Sequence, residues 1–270
     1  MTDKGFDEAR LHVELMLGHV LGLPRISLYT NFDKPLNGDE LARFKALFKR
    51  RLNREPLQYI LGETHFMGLA LGVSPGALIP RPETEILVER VVQRFGSDTR
   101  AHLSVLDVGT GSGNVAIAIA RYMPQAAVTT IDISEAAIAV ARANLARFPG
   151  LSVTIEKGDI FTDLLPGRSF DIIVSNPPYI SAQEFQSLDP EITEHEPHIA
   201  LTDAADGFTF IRRIASFAVA HLNAGGCLFM ELAHDQEDAA KHIVGETGLR
   251  VIGVAPDLAG IPRVLEAEVA

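Results

Sequence analysis

An Asn-Pro-Pro-Tyr sequence at residues 176–179 is the feature of this chain that most directly suggests chemistry. It follows the apolar run DIIVS, which has the composition of a buried strand. Two consecutive prolines remove two backbone N–H donors and fix φ near about −65°. The carbonyl groups of Asn176 and Pro177 are therefore free of a strand ladder and can face a site.

The chemistry that suits this arrangement is reaction at a planar amide nitrogen. Such a nitrogen is a poor nucleophile because its lone pair is delocalised, and its deprotonation near neutral pH is impractical. The Asn176 side-chain oxygen and the Pro177 carbonyl can accept its two N–H bonds and favour the charge that develops during attack. The Tyr179 ring offers a flat face for stacking. We predict Asn176, Pro177 and Tyr179 as catalytic and residues 176–179, including Pro178, as substrate-binding; the alternative is a rigid turn without chemistry.

A glycine-rich loop lies between an apolar run and a helix-like segment, in VLDVGTGSGN at residues 105–114. Glycine adopts positive φ and lets a ligand approach the backbone closely, and open α/β sheets bind ligands at the carboxyl ends of their strands. The loop fits NAD, FAD or S-adenosylmethionine, or is only a tight turn. The candidate cofactor contacts are Gly109, Thr110, Gly111, Ser112 and Gly113.

Two further acidic positions follow the next apolar runs. Asp132 ends a β-like run about 20 residues after the loop, where a carboxylate can accept hydrogen bonds from both ribose hydroxyls; the alternative is a helix N-cap or a surface acid. Asp159 and Ile160 follow the third run. We predict Asp159 as an acceptor for an exocyclic amine and Ile160, or the adjacent Phe161, as an apolar wall beside an adenine.

The elements that must position these residues alternate between strand and helix. Helix-like segments separate the β-rich runs 104–108, 127–132, 152–156, 171–175, 227–232 and 250–255. This alternation predicts an α/β fold with a mostly parallel sheet and helices on both faces. The weakly alternating run 263–270 indicates a final edge strand.

The N-terminal part has a different pattern. Apolar residues spaced by three or four predict a helix from Phe6 to Leu21, and Asn37 with Glu40 predicts the capped start of a second helix. Residues 56–73 predict short strands and a hairpin. We therefore predict a helical domain over residues 1–75, a linker to about residue 85, and a catalytic domain over residues 86–270. The second helix carries a basic face, either solvated or a docking surface: Arg43, Lys45, Lys49, Arg50, Arg51 and Arg54.

Composition and charge narrow the class of function. The chain has 270 residues, 47% of them hydrophobic, and a net charge of −11. Residues 1–80 hold ten basic against nine acidic residues, which leaves −12 for the rest and disfavours a nucleic-acid substrate. No run reaches the roughly 18 apolar residues of a membrane span, and one cysteine cannot form an intrachain disulfide. We expect a cytoplasmic monomer without membrane contact.

The chain resembles the peptide chain release factor glutamine methyltransferases, bacterial and organellar enzymes that methylate the glutamine of the Gly-Gly-Gln loop of release factors. The resemblance covers nearly the whole chain, and RPETE is its most specific element, because nucleic-acid methyltransferases that share Asn-Pro-Pro-Tyr generally lack it. The matching stretches are PLQYILGETHF (56–66), LIPRPETEILVE (78–89), VLDVGTGSG, IVSNPPYI, EPHIAL (196–201) and DLAGIPRV (257–264).

The resemblance implies a class I S-adenosylmethionine-dependent methyltransferase domain, Rossmann-like with a seven-stranded sheet, joined by a β-hairpin to a small N-terminal helical domain. It implies that Gly109–Gly113, Asp132, Ile160 and Asn176 contact S-adenosylmethionine, and that residues 176–179 hold the glutamine of a release factor, so that methylation modulates translation termination. This chain departs from the family pattern at Ile160, where some relatives carry an aromatic residue, and at Ala233, where a glycine is expected.

Three rival functions remain at the sequence level. A nucleic-acid methyltransferase would act on a conjugated base amine, but the acidic catalytic part and the lack of a long recognition insert disfavour it. A non-catalytic binding module is disfavoured by the intact glycines and Asn-Pro-Pro-Tyr, and an NAD oxidoreductase by the lack of an acid/base set.

Several reactive side chains receive no role. His195, Glu196 and His198 are interpreted as a loop beside the substrate rather than a metal site, so we predict no metal. Cys227 is interpreted as a small core residue. Arg81, Glu83, Thr84 and Glu85 either line the mouth of the site or cap a helix, and they are left out of the catalytic set.

Overall fold

The computed structural model describes residues 5–6, 8–98, 100, 102–162 and 165–269. It divides into two compact units, one of residues 1–63 with 189–195 and the other of residues 64–188 with 196–270. The predicted domains begin at Met1 and end at Ala270, and both of these residues lie outside the described ranges.

The first unit is helical. Asn37 caps a helix, α3 (Gly38–Leu52), in a reciprocal capping box: its side chain accepts from the Glu40 backbone N–H at 2.9 Å, and the Glu40 carboxylate accepts from the Asn37 N–H at 2.8 Å. The capped start predicted from Asn37 and Glu40 is thus confirmed. Met16, Leu57 and Ile60 form the centre of a small apolar cluster. The helices are α1 (Ala9–Leu21), α2 (Arg25–Thr30), α3 (Gly38–Leu52), α4 (Leu57–Leu61) and α9 (Pro190–Thr193).

The basic face predicted for α3 is wrong at one position, Arg51. Arg51 is 4% exposed, and its Nη1 donates to the Glu191 carboxylate at 2.7 Å and to the Glu55 carbonyl at 2.9 Å. A periodicity argument cannot foresee the Glu191 partner, because it is distant in sequence. Arg50 stays exposed and pairs with Glu55 at 2.5 Å. Arg43, Lys45 and Lys49 are exposed.

A two-stranded hairpin, β1 (Glu63–Phe66) and β2 (Leu69–Gly72), follows α4. Met67 and Gly68 make its turn, and both have positive φ. The predicted hairpin is confirmed. The short strands predicted for residues 56–73 are wrong for residues 57–61, because these form α4, which ends at Gly62 in the left-handed conformation.

The second unit contains a seven-stranded sheet in the order β5-β4-β3-β6-β7-β9-β8. β9 runs antiparallel to both of its neighbours, β7 and β8, and the other described strand pairs of this sheet are parallel. The mostly parallel sheet is therefore confirmed, but the C-terminal run is not an edge strand: it lies between β7 and β8, and β8 forms the edge. The strands are β3 (Leu103–Val108), β4 (Ala126–Asp132), β5 (Val153–Lys157), β6 (Phe170–Ser175), β7 (Leu222–Glu231), β8 (Arg250–Pro256) and β9 (Pro262–Glu268).

Helices cover both faces of this sheet. Successive strand residues point to opposite faces, and on both faces they are apolar and buried. Val105 and Ile172 belong to one buried cluster, and Leu106 and Ile173 belong to another. Cys227 is buried in the first cluster, as its interpretation as a core residue predicts. The helices of this unit are α5 (Glu83–Phe95), α6 (Asn114–Tyr122), α7 (Glu135–Leu145), α8 (Ala182–Phe185), α10 (Thr209–His221) and α11 (Glu237–Glu246). Within the described ranges, no helix has the length and apolarity to cross a bilayer.

Candidate functional site

The sheet topology places the two main motifs beside each other. The chain leaves β3 towards β4 and β5 on one side and later adds β6 on the other, so the β3–β6 boundary is the switch point where open α/β sheets bind ligands. Val108 and Ser175, the last residues of the two strands, are register partners. The Ser175 hydroxyl donates to the Val108 carbonyl at 2.7 Å. The glycine loop and Asn176 therefore begin side by side.

The glycine loop requires its glycines for two different reasons. Gly109 and Gly111 have φ of +90° and +53°, and a Cβ on Gly111 would meet no atom within 4 Å. Gly111 also lines the cavity beside the loop, so its backbone is accessible there. Gly113, at φ +83°, packs against α7, because a Cβ there would lie 3.2 Å from the Ala141 Cβ. Gly113 thus seats the loop against a helix.

A cavity of about 250 Å³ opens beside this loop. Most of the predicted site residues line it together: Gly109, Gly111, Ser112, Asp132, Asp159, Ile160, Asn176, Pro177 and Pro178. Thr110, Gly113 and Tyr179 do not form part of its wall. Thr110 is buried, with its hydroxyl 2.6 Å from that of Thr130, so it supports the loop from behind.

Asp132 faces the cavity and also holds the loop. Its Oδ2 accepts from the Gly111 N–H at 3.0 Å, and its Oδ1 accepts from the Ser134 N–H at 2.8 Å. The N-cap of α7 is Ser134, whose hydroxyl accepts from the Ala137 N–H. Asp132 is therefore not the cap. Burial raises its pKa, and backbone N–H bonds oppose that rise. Each carboxylate oxygen keeps capacity for a further donor.

Apolar side chains with a carboxylate beside them also line the cavity. Ile160 is 6% exposed, and the rings of Phe161 and Phe210 meet edge to face with centroids 5.2 Å apart. Asp159 sits beside them, and its Oδ1 accepts from the Phe161 N–H at 2.9 Å. The chain thus supplies an apolar slot and a carboxylate at its edge.

The side-chain amide of Asn176 is held by Thr84. Its Nδ2 donates to the Thr84 Oγ1 at 3.0 Å, and Thr84 is 1% exposed and lines the cavity. Because the amide nitrogen is engaged, the Oδ1 atom is the end of this amide that stays available as an acceptor.

Tyr179 is fixed at both its hydroxyl and its backbone. Its hydroxyl donates to the Glu231 Oε1 at 3.2 Å, and its carbonyl accepts from the Gln236 Nε2 at 3.0 Å. Burial, and then the Glu231 charge, raises the pKa of Tyr179 well above its ordinary value. Ala233, where a glycine was expected, donates its N–H to the Gln236 Oε1 and is not a positive-φ residue. Alanine is therefore accommodated there.

Glu231 is a buried carboxyl group that sequence reasoning missed. Burial raises its pKa to about 7, while hydrogen bonds from Thr84 and Tyr179 lower it. Its Oε2 makes no hydrogen bond of good geometry. The available signal was the position of the residue at the carboxyl end of β7, next to β6 in the sheet.

Two further groups were left without a role by the sequence and occupy the site region. Arg81 lines the cavity and pairs with the buried Glu196 at 2.5 Å. The other Glu196 oxygen accepts from the Ile79 N–H at 3.1 Å, so this carboxylate clamps the RPETE segment. The RPETE motif itself was the signal for Arg81 and Thr84. Glu85 instead accepts from the Met67 N–H.

Asp107 lies beneath the glycine loop and was also missed. It is fully buried, its Oδ2 accepts from the Thr130 hydroxyl at 2.7 Å, and its Oδ1 has no partner. Burial raises its pKa to about 7. Its place between two apolar residues of VLDV gave the signal, because a carboxyl group in a buried strand is costly unless it is paired.

These acceptors and surfaces fit S-adenosylmethionine. The Asp132 carboxylate suits ribose hydroxyls, the slot of Ile160 and Phe161 with Asp159 suits an adenine, and the open side of Gly111 admits a close ligand. In the parts of the chain that the structure describes, no group of three or more His, Cys, Asp or Glu side chains is arranged to hold a metal ion.

Comparison with known proteins finds relatives along nearly the whole chain. A release factor glutamine methyltransferase of Geobacter sulfurreducens is 44% identical over 98% of this chain and 91% of its own length. A protein of the same description from Chlorobaculum tepidum is 42% identical over 91% and 86% of the two chains. The family models that match are the PrmC N-terminal domain over residues 1–62 and the methyltransferase small domain over residues 82–195.

Solved structures support the fold of the second unit. The Thermus thermophilus 16S rRNA N2 G1207 methyltransferase, in complex with AdoMet and guanosine, aligns with a TM-score of 0.55 at 22% identity. The alignment covers 77% of this chain and 50% of that one. At this identity the likeness shows the methyltransferase fold alone.

Proposed function

Because the chain belongs to the family of release factor glutamine methyltransferases, we propose that it methylates the side-chain amide nitrogen of the glutamine in the Gly-Gly-Gln motif of peptide chain release factors. The enzyme class is an S-adenosylmethionine-dependent protein-(glutamine-N5) methyltransferase. We propose that methylation of that glutamine modulates translation termination and that the enzyme acts in the cytoplasm.

The methyl donor is S-adenosylmethionine, which when bound supplies a sulfonium methyl group already activated for transfer. The residues that would hold it are Gly109, Gly111, Ser112, Asp132, Asp159, Ile160 and Asn176, all in the cavity wall. Thr110 and Gly113 would act indirectly, by fixing the loop.

The substrate amide needs acceptors rather than a base. We propose that the Asn176 Oδ1 and the Pro177 carbonyl accept the two N–H bonds of the glutamine. Both atoms belong to a rigid segment, because the prolines restrict the backbone and the Asn176 Nδ2 is held by Thr84. Acceptors fixed in advance stabilise the charge that develops on nitrogen without reorganising during the reaction. Pro178 lines the same cavity beside these acceptors. We propose that the ring of Tyr179, which lies outside the cavity wall and is fixed by Glu231 and Gln236, stacks on the amide plane once the glutamine is bound.

The observation that carries this proposal is the side-by-side start of the glycine loop and the Asn-Pro-Pro-Tyr segment at the switch point of the sheet. An amide held at Asn176 would then lie next to the group held at Gly109–Gly113. A binding module has no need of that adjacency, and an oxidoreductase has no need of the paired amide acceptors.

The nearest alternative substrate is a nucleic-acid base amine. The sequence outside residues 1–80 carries a net charge of −12, which opposes a polyphosphate backbone. We therefore propose a protein substrate and no direct nucleic-acid substrate, with the enzyme acting as a monomer.

We also propose that residues 1–75, which include the matched N-terminal family segment, dock the body of the release factor. Discrimination among proteins needs contacts beyond one side-chain pocket. In the helical unit, the exposed cations Arg43, Lys45 and Lys49 lie on α3, and Ile26 and Phe32 are 73% and 85% exposed. Charge and apolar area are thus both available on this unit.

The test is incubation with methyl-labelled S-adenosylmethionine and three acceptors in separate reactions: purified release factor, total RNA and total DNA. Label in the release factor, and its loss when the Gly-Gly-Gln glutamine is replaced by alanine, is the expected result. Label in RNA or DNA with an unlabelled release factor would overturn the proposal.

A further inference from the structure

Asn144 is a buried polar side chain that the proposed mechanism does not use. It lies on α7, is 1% exposed, and does not form part of the cavity wall. Burial of a polar side chain is costly unless hydrogen bonds compensate for the lost water. The partners of Asn144 therefore indicate what the residue does.

The side-chain amide of Asn144 contacts two segments that are far apart in the chain. Its Nδ2 donates to the Ser112 carbonyl at 2.8 Å and to the Gly72 carbonyl at 2.9 Å. Its Oδ1 accepts from the Gly72 N–H at 2.7 Å. Ser112 belongs to the glycine loop, and Gly72 is the last residue of β2 in the hairpin. One side chain thus holds the loop and the hairpin together.

The partners of this amide also determine its orientation. A backbone carbonyl can only accept a hydrogen bond and a backbone N–H can only donate one, and these groups do not titrate. The nitrogen must therefore face the two carbonyls, and the oxygen must face the Gly72 N–H. A half-turn of the amide would oppose like groups at all three contacts.

Asn144 acts on the glycine loop together with its own helix. Gly113 packs against Ala141, which lies three residues before Asn144 on the same face of α7. One turn further along that face, Asn144 fixes the Ser112 carbonyl. Gly111 and Ser112 both line the cavity, so α7 holds the loop from the protein side while its other side is open to a ligand. A loop that is ordered in advance does not lose that conformational entropy on binding.

We propose that Asn144 is a positioning residue for the binding of S-adenosylmethionine, which fixes the glycine loop through Ser112 and ties it to the hairpin through Gly72. The inference rests on the proposed function, because that function assigns the loop to the cofactor. Asn144 acts through the loop backbone and does not itself contact the cofactor.

The variants that test this role are Asn144→Leu and Asn144→Ala. Both remove all three hydrogen bonds, but leucine overfills the site and alanine leaves a gap, so a loss common to both comes from the hydrogen bonds. We expect the dissociation constant of S-adenosylmethionine, measured by calorimetry, to rise at least about fivefold in each. If one variant does not fold, the other decides the question.

Two controls separate this role from a general loss of structure. Val244 is fully buried on α11 and does not form part of the cavity wall, so Val244→Ala should lower the melting temperature and leave the dissociation constant at the wild-type value. Tyr122→Phe removes the hydroxyl that donates to the Met67 carbonyl in the hairpin turn at 2.6 Å. It loosens the hairpin without changing a contact of Ser112, and it should also bind S-adenosylmethionine as wild type does. An equal loss of affinity in either control would overturn the assignment to the loop.

A second readout needs no cofactor. The amide protons of residues 109–113, followed by nuclear magnetic resonance in the cofactor-free protein, should exchange with solvent faster in both Asn144 variants and at the wild-type rate in Tyr122→Phe. If wild type binds no S-adenosylmethionine, the proposed function fails, and this exchange still decides whether Asn144 holds the loop. A smaller rise in the dissociation constant of both Asn144 variants, or loop exchange at the wild-type rate in both, would overturn the inference.

Discussion

At the residue scale, neighbouring side chains of the site have separate proposed roles, one in holding the substrate and one in holding the cofactor. Asn176 and Asp132 both line one cavity. The amide of the substrate is assigned to Asn176, which also borders the cofactor, whereas Asp132 is assigned to the ribose of the cofactor alone. Glu231 is assigned to neither and contacts the Tyr179 hydroxyl. Separate duties predict separate measurable losses, which a general loss of folding would not give.

Asn176→Ala removes the proposed substrate acceptor. We expect turnover to fall by more than about tenfold, equivalent to about 1.4 kcal/mol, while S-adenosylmethionine still binds, because the lost interaction matters most in the transition state. Single-turnover transfer to release factor, together with calorimetry, checks both parts. Turnover above a tenth of wild type would remove the acceptor role from Asn176.

Asp132→Ala should show the opposite pattern. It removes a charge-assisted acceptor for the ribose and the anchor of the Gly111 N–H, so the affinity for S-adenosylmethionine should fall by roughly 1.5–3 kcal/mol. Asp132→Asn, which keeps one oxygen, should lose less. Calorimetry that finds the same affinity in the alanine variant as in wild type would leave Asp132 with a structural role alone.

Glu231 also predicts a pH dependence of stability. Burial raises its pKa to about 7 against an ordinary 4.5, with Glu83 raising it further and Thr84, Tyr179 and Arg263 lowering it. A raised folded-state pKa stabilises the fold below pH 4.5, and this stabilisation is lost as the pH rises through 7.

The measurement compares wild type with Glu231→Gln, which cannot ionise. Between pH 5 and pH 8, the free energy of unfolding of the variant relative to wild type should rise by on the order of 3 kcal/mol. Denaturant melts at both pH values give this difference. A difference that is the same at both pH values would show that Glu231 keeps an ordinary pKa.

At the element scale, two glycines of the loop have different roles: Gly113 packs against neighbouring helices, and Gly111 keeps the backbone open to a ligand. Gly113→Ala should lower the free energy of unfolding by about 1–3 kcal/mol, because its Cβ would press on Ala141 and Ile117 and its φ is positive. Gly111→Ala meets no protein atom, so it should cost less stability but weaken S-adenosylmethionine binding more. Thermal melts and calorimetry on the pair check this, and equal effects would contradict the division.

The elements that the sequence predicted correctly are those determined by local pattern. The alternation of strands and helices and the capping box at Asn37 depend on residues close in the chain. The strand and the side chain that the sequence placed wrongly depend on partners that are distant in the chain. The β9 strand inserts between β7 and β8, and Arg51 is buried by its pairing with Glu191.

The same distinction applies to the site. Motifs identified Asn176 and the glycines, because each motif is contiguous. Glu231 and Asp107 were missed, and Thr84 was named as lining the mouth of the site or capping a helix but received no catalytic role. The structural roles of these three residues depend on contacts with side chains that are distant in sequence.

At the scale of the whole molecule, the proposed docking role of the helical unit can be tested by charge. Arg43→Glu with Lys49→Glu reverses two exposed cations of α3. We expect slower association with release factor and a weaker salt dependence, while methylation of a short free glutamine peptide stays unchanged. Arg51 is left intact, because its buried pairing makes any loss there a loss of folding.

The matched control reverses two exposed cations of the other unit, Arg121 and Arg142, and changes the net charge equally. It should leave association close to wild type. If both double variants slow association alike, net charge alone explains the effect. If neither does, docking lies elsewhere.

The central claim is transfer of one methyl group to one glutamine, and mass spectrometry of the release factor after reaction tests it most directly. Wild-type enzyme with S-adenosylmethionine should add the mass of a single methyl group to the peptide containing Gly-Gly-Gln, and fragmentation should place it on the glutamine side chain; Asn176→Ala should leave that peptide unmodified. An unmodified peptide with active, cofactor-binding wild-type enzyme, or a methyl group on any other residue, would contradict the account.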